Sequence, residues 1–332
     1  MTQKYDVFGV GNAIVDILAQ IPEDALTELA LNKGAMTLME PPQQADILSY
    51  LEGKSLSRAS GGSAANTMVA IAQSGGSGIY AGKVADDPNG TFYHQDMNAA
   101  GIECYVPRAS ETELPTGTSV ILTTPDAERT MCTHLGISAT LTENDIDVDR
   151  LAQCQYCYVE GYLWTGEPTR DASLKAFNAA RKHNVKTAFT FSDSFLVDLF
   201  KDDFKSLVAD HCDTVFCNAD EARKFFGQED LSECANQMGN LCELGFITDG
   251  PNGCYVAENG NVTRVSGFEV NALDTVGAGD AFAGGALYGL TNGMGALNAA
   301  KWGNYFASQI VGRIGPRMDS SMNDQLDSVI NS

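Results

Sequence analysis

LDTVGAGDAFAGGALYGL, residues 273–290, brackets a glycine-walled turn with two carboxylates, Asp274 and Asp280, and runs on directly into an apolar helix. Gly277 and Gly279 reach backbone angles closed to other residues, so consecutive N–H groups can converge on one anion. The chain reads as helical from Ala278, which sets those donors at the positive end of a helix dipole. Asp280 falls in the first turn, beside this anion hole, where it serves either as a capping acid or as a base. Phosphoryl transfer to an alcohol calls for both parts: donors where charge spreads over the moving group, and an acceptor for the alcohol proton at about 3 Å.

Outward from that turn, strand-like and helix-like segments alternate for most of the chain, the pattern of an α/β protein with a mostly parallel sheet. Strands are expected at 5–10, 78–84, 156–162, 186–191, 214–217, 245–248 and 254–258. Helices are expected at 63–73, 91–100, 169–183, 194–209, 220–226, 231–241, 278–290 and 296–312. Two stretches break the alternation, 13–39 and 103–131, and within the second TSVILTTPDAERTM reads as a hairpin with a polar turn at 125–128. Strands from separate parts of the chain can pair into a small sheet over the carboxyl edge of the large one, where open α/β sheets bind ligands. One domain spanning 1–332 is expected, with a lid built from about 13–39 and 103–135.

Composition narrows the function classes. At 44% hydrophobic and 19% charged residues the chain is an ordinary globular one. With a formal charge of −22 and no basic stripe, no nucleic acid partner is expected. No basic segment precedes an apolar core near the N-terminus and no run reaches about 18 apolar residues, so a cytoplasmic location and no membrane are expected. Nine scattered cysteines fit a reducing compartment better than a disulfide framework. Cys154 and Cys157 form a CxxC, but Cys212 and Cys217 lack the matching spacing, and CQYCYVEGYL reads as a buried strand rather than a zinc site. His94, His134, His183 and His211 have no ligand-like spacing.

DTVGAGDAFAGG resembles the C-terminal motif of the PfkB (ribokinase-like) carbohydrate and nucleoside kinases. ASGGSAANTMVAIAQSGGSGIYAGKVADDPNG, residues 59–90, resembles that family's N-terminal motif, NADE at 218–221 its NxxE, and TDGPNG at 248–253 its TxGxxG. All four stand in the family's order. The resemblance implies a ribokinase-like three-layer α/β/α fold with a mostly parallel central sheet and a small β-sheet lid. It implies Asp280 as the catalytic base and Gly277, Ala278 and Gly279 as the anion hole. Asn12 and Asp16 match the acceptor-binding segment, and Gly62, Ser63 and Asn66 the stretch around its sugar ring. A vicinal diol offers two donors that the one carboxylate of Asp16 can accept. Asn218 and Glu221 match the pair that organises Mg²⁺ and the triphosphate of ATP, Glu221 through water; an acid at a helix start is favoured in any case. Thr248, Gly250 and Gly253 match the nucleotide loop, and Asn304 falls near the adenine pocket. The resemblance further implies a monovalent cation, K⁺, near Asp274 and the 312–315 loop, and an Arg129 that closes onto the phosphates. The GxG of VFGVGNAIVDIL raises a dinucleotide reading, but Ile14 replaces the third glycine and no helix opens there.

GNAIVDI, PTGTSVILTTPDAERT, EGYLWT and GNYFASQIVGRIGP are most similar to the adenosine kinase branch, which implies transfer of the γ-phosphate to the 5′-hydroxyl of adenosine. A purine needs an apolar slot with an aromatic face; Tyr162, Leu163, Trp164, Met36, Leu38 and Leu135 are the residues expected to line one. Adenosine kinases often carry an aromatic pair after the glycine of EGYL, where this chain has Tyr162 and Leu163. The alternatives are ribose, fructose or a related sugar held by the same Asp16 and Asn66, and a catalytically silent nucleoside- or sugar-binding protein. A phosphorylated sugar would require a basic cluster, and arginines are sparse in the first 135 residues. The expected partners are therefore ATP and a small nucleoside or sugar, bound by a monomer or homodimer.

Overall fold

Apolar residues alternate along the long strands, and the alternation divides the core in two. Val7, Tyr80, Tyr158, Phe216 and Phe246 face one core, while Phe8, Ile79, Val159, Val215 and Ile247 face the other. Helices Ser63–Gln73, Ala278–Thr291 and Ala296–Val311 cover the first face; Glu167–Lys182, Ser194–His211, Ala219–Phe226 and Leu231–Gly239 cover the second. The structure, a computed structural model, describes residues 4–110, 113–126 and 128–331.

Among the described residues the large sheet has nine strands, in the order Asn261–Val265, Cys254–Glu258, Leu244–Thr248, Thr214–Asn218, Lys186–Thr190, Cys154–Glu160, Tyr5–Val10, Gly78–Ala81 and Glu103–Tyr105. The first two pairings are antiparallel and the remainder parallel. The parallel strands consequently deliver Asn12, Glu160, Asn218 and Thr248 at or just past one common edge, where side chains from distant segments can meet.

A separate five-stranded sheet, ordered Met36–Leu38, Arg129–Gly136, Thr116–Thr123, Ile14–Gln20 and Ser57–Gly61, stands over that edge. Period two again assigns its faces: Ile14, Asp16, Ser119, Ile121, Met131, Thr133 and Leu135 line the cavity, while Val15, Ile17, Val120, Leu122 and Cys132 pack outward against helices Asp24–Glu28 and Pro41–Tyr50. Buried Gln44 of the latter helix donates to the carbonyls of Thr118 and Cys132 at 3.0 and 2.9 Å.

Several details depart from the sequence reading. Strands Ser57–Gly61 and Asn261–Val265 and helix Pro41–Tyr50 were not expected. Glu103–Tyr105 joins the edge of the large sheet, and Arg108–Ala109 pairs with Val84–Ala85, so only the later part of the 103–131 stretch enters the small sheet. The hairpin closes with Arg129 opposite Thr123; its expected turn includes Ala127, which lies outside the described residues. The strand expected at 156–162 ends at Glu160 and passes into a 3₁₀ turn, Gly161–Thr165. Cys154 and Cys157 are buried in the second core. Among the described residues no helix is long and apolar enough to cross a membrane.

Candidate active site

The glycine turn folds as an open anion cradle. Gly277 caps the Ala278–Thr291 helix at φ 72°, and a Cβ there would press into Pro316 at 2.6 Å, so glycine is required twice over. The N–H groups of Gly277, Gly279 and Asp280 have no acceptor among the described residues, and the space beside Gly279 is empty to 4 Å. Asp274, 1% exposed, braces the turn by accepting from the N–H of Val276 and of Gly315, each at 2.9 Å. Arg129 of the small sheet reaches the same turn: its Nη2 donates to Thr275 Oγ1 at 3.1 Å and its Nε lies 3.8 Å from Asp274 Oδ1. Arg129 thus brings a positive charge beside Asp274.

Asp280 points into the cleft from the first helical turn. It accepts from Ser63 Oγ at 2.6 Å and Asn66 Nδ2 at 3.2 Å. Burial lifts its pKa to about 6, against the pull of those two bonds and of Arg129 and Arg317. The Ser63 helix approaches this closely because Gly62 adopts φ 102°, where a Cβ would overlap the carbonyl oxygen of Asn12 at 2.1 Å. Asp16 is 4% exposed, and among the described residues its carboxylate accepts no hydrogen bond, leaving burial and nearby charges to set its ionisation. Its pKa rises to about 7 through burial, opposed by Arg317 and reinforced by Asp280. Gly61 leaves it room, since a Cβ there would fall 2.1 Å from Oδ1. Asn12 is fixed by Glu160, whose Oε1 accepts from its N–H at 2.8 Å and its Nδ2 at 2.9 Å and whose Oε2 accepts from the Ala64 N–H at 2.8 Å. That fully buried carboxyl is pushed up to about 7 by desolvation, with the same hydrogen bonds opposing.

On the nucleotide side Asn218 and Glu221 form a reciprocal cap: Asn218 donates through N–H and Nδ2 at 2.9 and 2.8 Å, and the Glu221 N–H returns a bond to Asn218 Oδ1 at 2.9 Å. Glu221 is pushed up to about 8 by burial, with Asp193, Asp220 and Asp280 adding repulsion. A hydrated divalent cation carried on a triphosphate would relieve that repulsion, and Mg²⁺ characteristically uses one or two carboxylates while keeping its waters. The residues fit Mg²⁺ held through water. Thr248 lies beside Asn218 in the parallel register. Gly250 and Gly253 take φ 52° and 94°, and a Cβ on Gly253 would meet the Val265 carbonyl at 2.1 Å. Asn304 donates to the carbonyls of Val265 and Ser266 at 3.2 and 3.1 Å, closing this end of the cleft.

These groups share one cavity of about 720 Å³. It is lined by Asn12, Asp16, Gly62, Ser63, Asn66, Arg129, Tyr162, Asn218, Glu221, Thr248, Gly250, Gly253, Asn304 and the 277–280 turn, together with Met36, Leu38 and Leu135. One expectation is corrected. Leu163 and Trp164 are 0% and 3% exposed and belong to the second core, Trp164 meeting Phe189 and Phe204 edge-on. The 3₁₀ turn has a period of three, so Tyr162 and Thr165 face the cavity while the two residues between them turn inward. Asp274 does not line the cavity either. Glu160 and Arg317 escaped the sequence reading, since their partners lie 148 and 251 residues away and no local pattern marks them.

The pfkB family carbohydrate kinase model matches residues 41–322. The chain is 36% identical to the adenosine kinase of Sinorhizobium meliloti, whose structure superposes with a TM-score of 0.91 over 98% of this chain and 99% of that one. A probable sugar kinase from Rhizobium etli is 34% identical, with a TM-score of 0.91 and 99% of both chains covered. The 5-dehydro-2-deoxygluconokinase of Bacillus subtilis is 28% identical over 274 residues, 79% of this chain and 83% of that protein. With the motifs gathered round a single cleft and the family model covering most of its length, the chain belongs to the PfkB family of carbohydrate kinases.

Proposed function

We infer that this phosphotransferase moves the γ-phosphate of ATP to the 5′-hydroxyl of a nucleoside, with adenosine the acceptor that the cleft fits best. The observation that carries this reading is the apolar wall of Ile14, Met36, Leu38, Ile121, Met131 and Leu135 that the small sheet presents to a cavity also containing Asn12 and Asp16. A purine buries against such a wall while its ribose hydroxyls reach the carboxylate; a bare sugar leaves the wall unused. Charge argues the same way. Asp16, Glu160, Asp193, Asp220, Glu221 and Asp280 line the cavity and Arg129 is the one cation among the described lining residues, which favours a neutral acceptor over an acidic or phosphorylated one. The likeness to the Sinorhizobium adenosine kinase supports the same choice. A second reading, a small neutral sugar, is favoured by Asp16: its free carboxylate suits any vicinal diol, and the Rhizobium relative is named a probable sugar kinase.

The residues divide the work as follows. Asp280, with a pKa of about 6, is largely ionised at neutral pH and takes the proton of the primary hydroxyl as the oxygen bonds to the γ-phosphorus and ADP leaves. The free N–H groups at Gly277 and Gly279 receive the charge spreading over the phosphoryl oxygens. Asp16 and Asn12 orient the acceptor, and Ser63 and Asn66 aim the base. Glu221 with Asn218 would hold Mg²⁺ through its waters, and the ion would there neutralise charge on the triphosphate. The small sheet acts as the lid, carrying Asp16 and Arg129 toward the cleft and excluding water, with Arg129 passing from Thr275 to the phosphates.

ATP-dependent phosphorylation measured across adenosine, other purine nucleosides, ribose, fructose and fructose phosphates tests the reading. Adenosine is expected to give the highest kcat/KM; a bare sugar in first place selects the second reading.

A further inference from the structure

Arg317 belongs to the segment that follows the Ala296–Val311 helix, yet its guanidinium is held at remote points of the chain. Its Nε donates to Asn66 Oδ1 at 3.2 Å, and its Nη1 donates to Ser60 Oγ and to Asp96 Oδ2, each at 2.9 Å. Its Nη2 donates to the Ser60 carbonyl oxygen. Asp96 also accepts from Ser60 N–H at 2.8 Å and Ser60 Oγ at 2.6 Å, closing the network. The side chain is 12% exposed and does not line the cavity. Its donors are committed to protein acceptors, so it does not act as a ligand contact.

Two consequences follow from this geometry. With Oδ1 of Asn66 facing the guanidinium, Nδ2 is left facing Asp280 Oδ2 at 3.2 Å. The flipped amide would oppose donor to donor on one side and acceptor to carboxylate on the other. Ser60 also precedes Gly61 and Gly62, the turn that joins a strand of the small sheet to the Ser63 helix and against which Asp16 packs. One guanidinium thus fixes the orientation of the amide at the base and the path of the turn under the acceptor carboxylate.

We propose that Arg317 is a positioning residue for the acceptor half of the reaction, holding Asn66 and the 60–62 turn in the arrangement that lets Asp16 accept hydrogen bonds from the acceptor hydroxyls and Asp280 take the proton of the reacting one. The proposal rests on the reading of Asp280 as the base. Charge acts in the same sense: the Arg317 cation opposes the burial that lifts both carboxyls. The titratable groups facing Arg317 are Asp96 of the Pro88–Ala99 helix, Tyr93 of the same helix, Asp16 of the small sheet and Asp280. Arg129, Tyr158, Glu160, Tyr162 and Glu221 also act on Asp280 or feel it, and none of them is altered by the substitution below.

The test compares wild type, R317M, R317K and D280N in steady state, with adenosine as acceptor, or ribose if the panel favours it. R317M is expected to raise the acceptor KM by roughly tenfold or more, the scale of losing hydrogen bonds to a charged group, while the ATP KM stays within about twofold. Its acid limb of kcat/KM should move to higher pH, because both carboxyls lose a compensating cation. R317K keeps the charge but cannot serve Ser60, Asp96 and Asn66 together, so it should restore the acid limb while leaving the acceptor KM raised. A folded R317M with acceptor KM and acid limb both unchanged overturns the proposal. So does an equal rise of both KM values with the limb unmoved, which marks a purely structural arginine. If R317M does not fold, D96N replaces it: a raised acceptor KM beside an unchanged ATP KM supports the proposal, and an unchanged acceptor KM refutes it. D280N separates the two layers, since full turnover in D280N removes the base itself, whereas an inactive D280N beside an unaffected R317M removes only the role of Arg317.

Discussion

Asp16 is buried and Asp280 half-buried; both are lifted by desolvation, and the charge of Asp280 makes Asp16 harder to ionise. Free-enzyme ionisations govern kcat/KM, so with carboxyls at about 6 and about 7 the profile should show two acid steps. Log kcat/KM is expected to rise with a slope near two below pH about 6 and near one between about 6 and 7, levelling above, where both are ionised. Asp16→Asn should remove one unit of slope and raise the acceptor KM, since an amide donates where a diol also wishes to donate. Asp280→Asn should lower kcat by about 10²–10⁴, the usual share of a general base, while acceptor affinity measured by calorimetry stays close to wild type. An Asp280→Asn protein with wild-type turnover removes Asp280 from the chemistry.

The helix start at 277–280 separates two uses of glycine at the scale of one element. Gly277 needs glycine for its fold: φ is 72° and a Cβ would strike Pro316. Gly279 has ordinary helical backbone, and a Cβ there would meet nothing within 4 Å. Gly277→Ala is therefore expected to lower the melting temperature as well as the rate. Gly279→Ala should leave the melt unchanged or raise stability by up to about 1 kcal/mol, the helix-propensity gain, yet raise the ATP KM or lower kcat by crowding the phosphate cradle. Equal activity in Gly279→Ala would mean that the phosphate does not approach there. This turn is legible in sequence because its glycines, its acids and the apolar helix after them are contiguous, and so are the strands and helices whose periodicity carries their own burial. Helix Pro41–Tyr50 is not legible in sequence, since only Gln44 and Ile47 of its ten residues are buried, too faint an apolar stripe to register. Strand Ser57–Gly61, reading SRASG, has no apolar alternation and is a strand through its pairing with Ile14–Gln20. Leu163 and Trp164 fall in the core rather than the slot because the chain leaves strand geometry at Glu160, which an apolar run does not reveal.

Across the whole molecule, what sequence could not disclose is the set of buried charges that only the assembled fold creates. Glu160 and Arg317 look like any surface acid and base until the sheet edge brings Asn12 to the first and Asn66 to the second. Burying acids also writes a pH dependence into stability. Glu160 has a folded pKa of about 7 against an ordinary 4.5, so between those values the native chain holds its proton more tightly than the unfolded one. Unfolding then releases protons, and the free energy of unfolding falls as pH rises through that window, before becoming constant above it. Asp16 at about 7 and Asp280 at about 6 contribute in the same direction from 3.8 upward, and the formal charge of −22 adds self-repulsion. The ligand-free protein should accordingly melt at lower temperature at pH 8 than at pH 5. Glu160→Gln isolates one group from this background. The amide loses an acceptor for Asn12 or Ala64, which costs stability at every pH, but it no longer titrates. The difference in unfolding free energy between wild type and Glu160→Gln should therefore narrow from pH 5 to pH 8, by an amount on the order of 2 kcal/mol. Calorimetric melts at several pH values measure it, and a difference that stays constant over that range would mean that Glu160 ionises in the fold as it does in the unfolded chain.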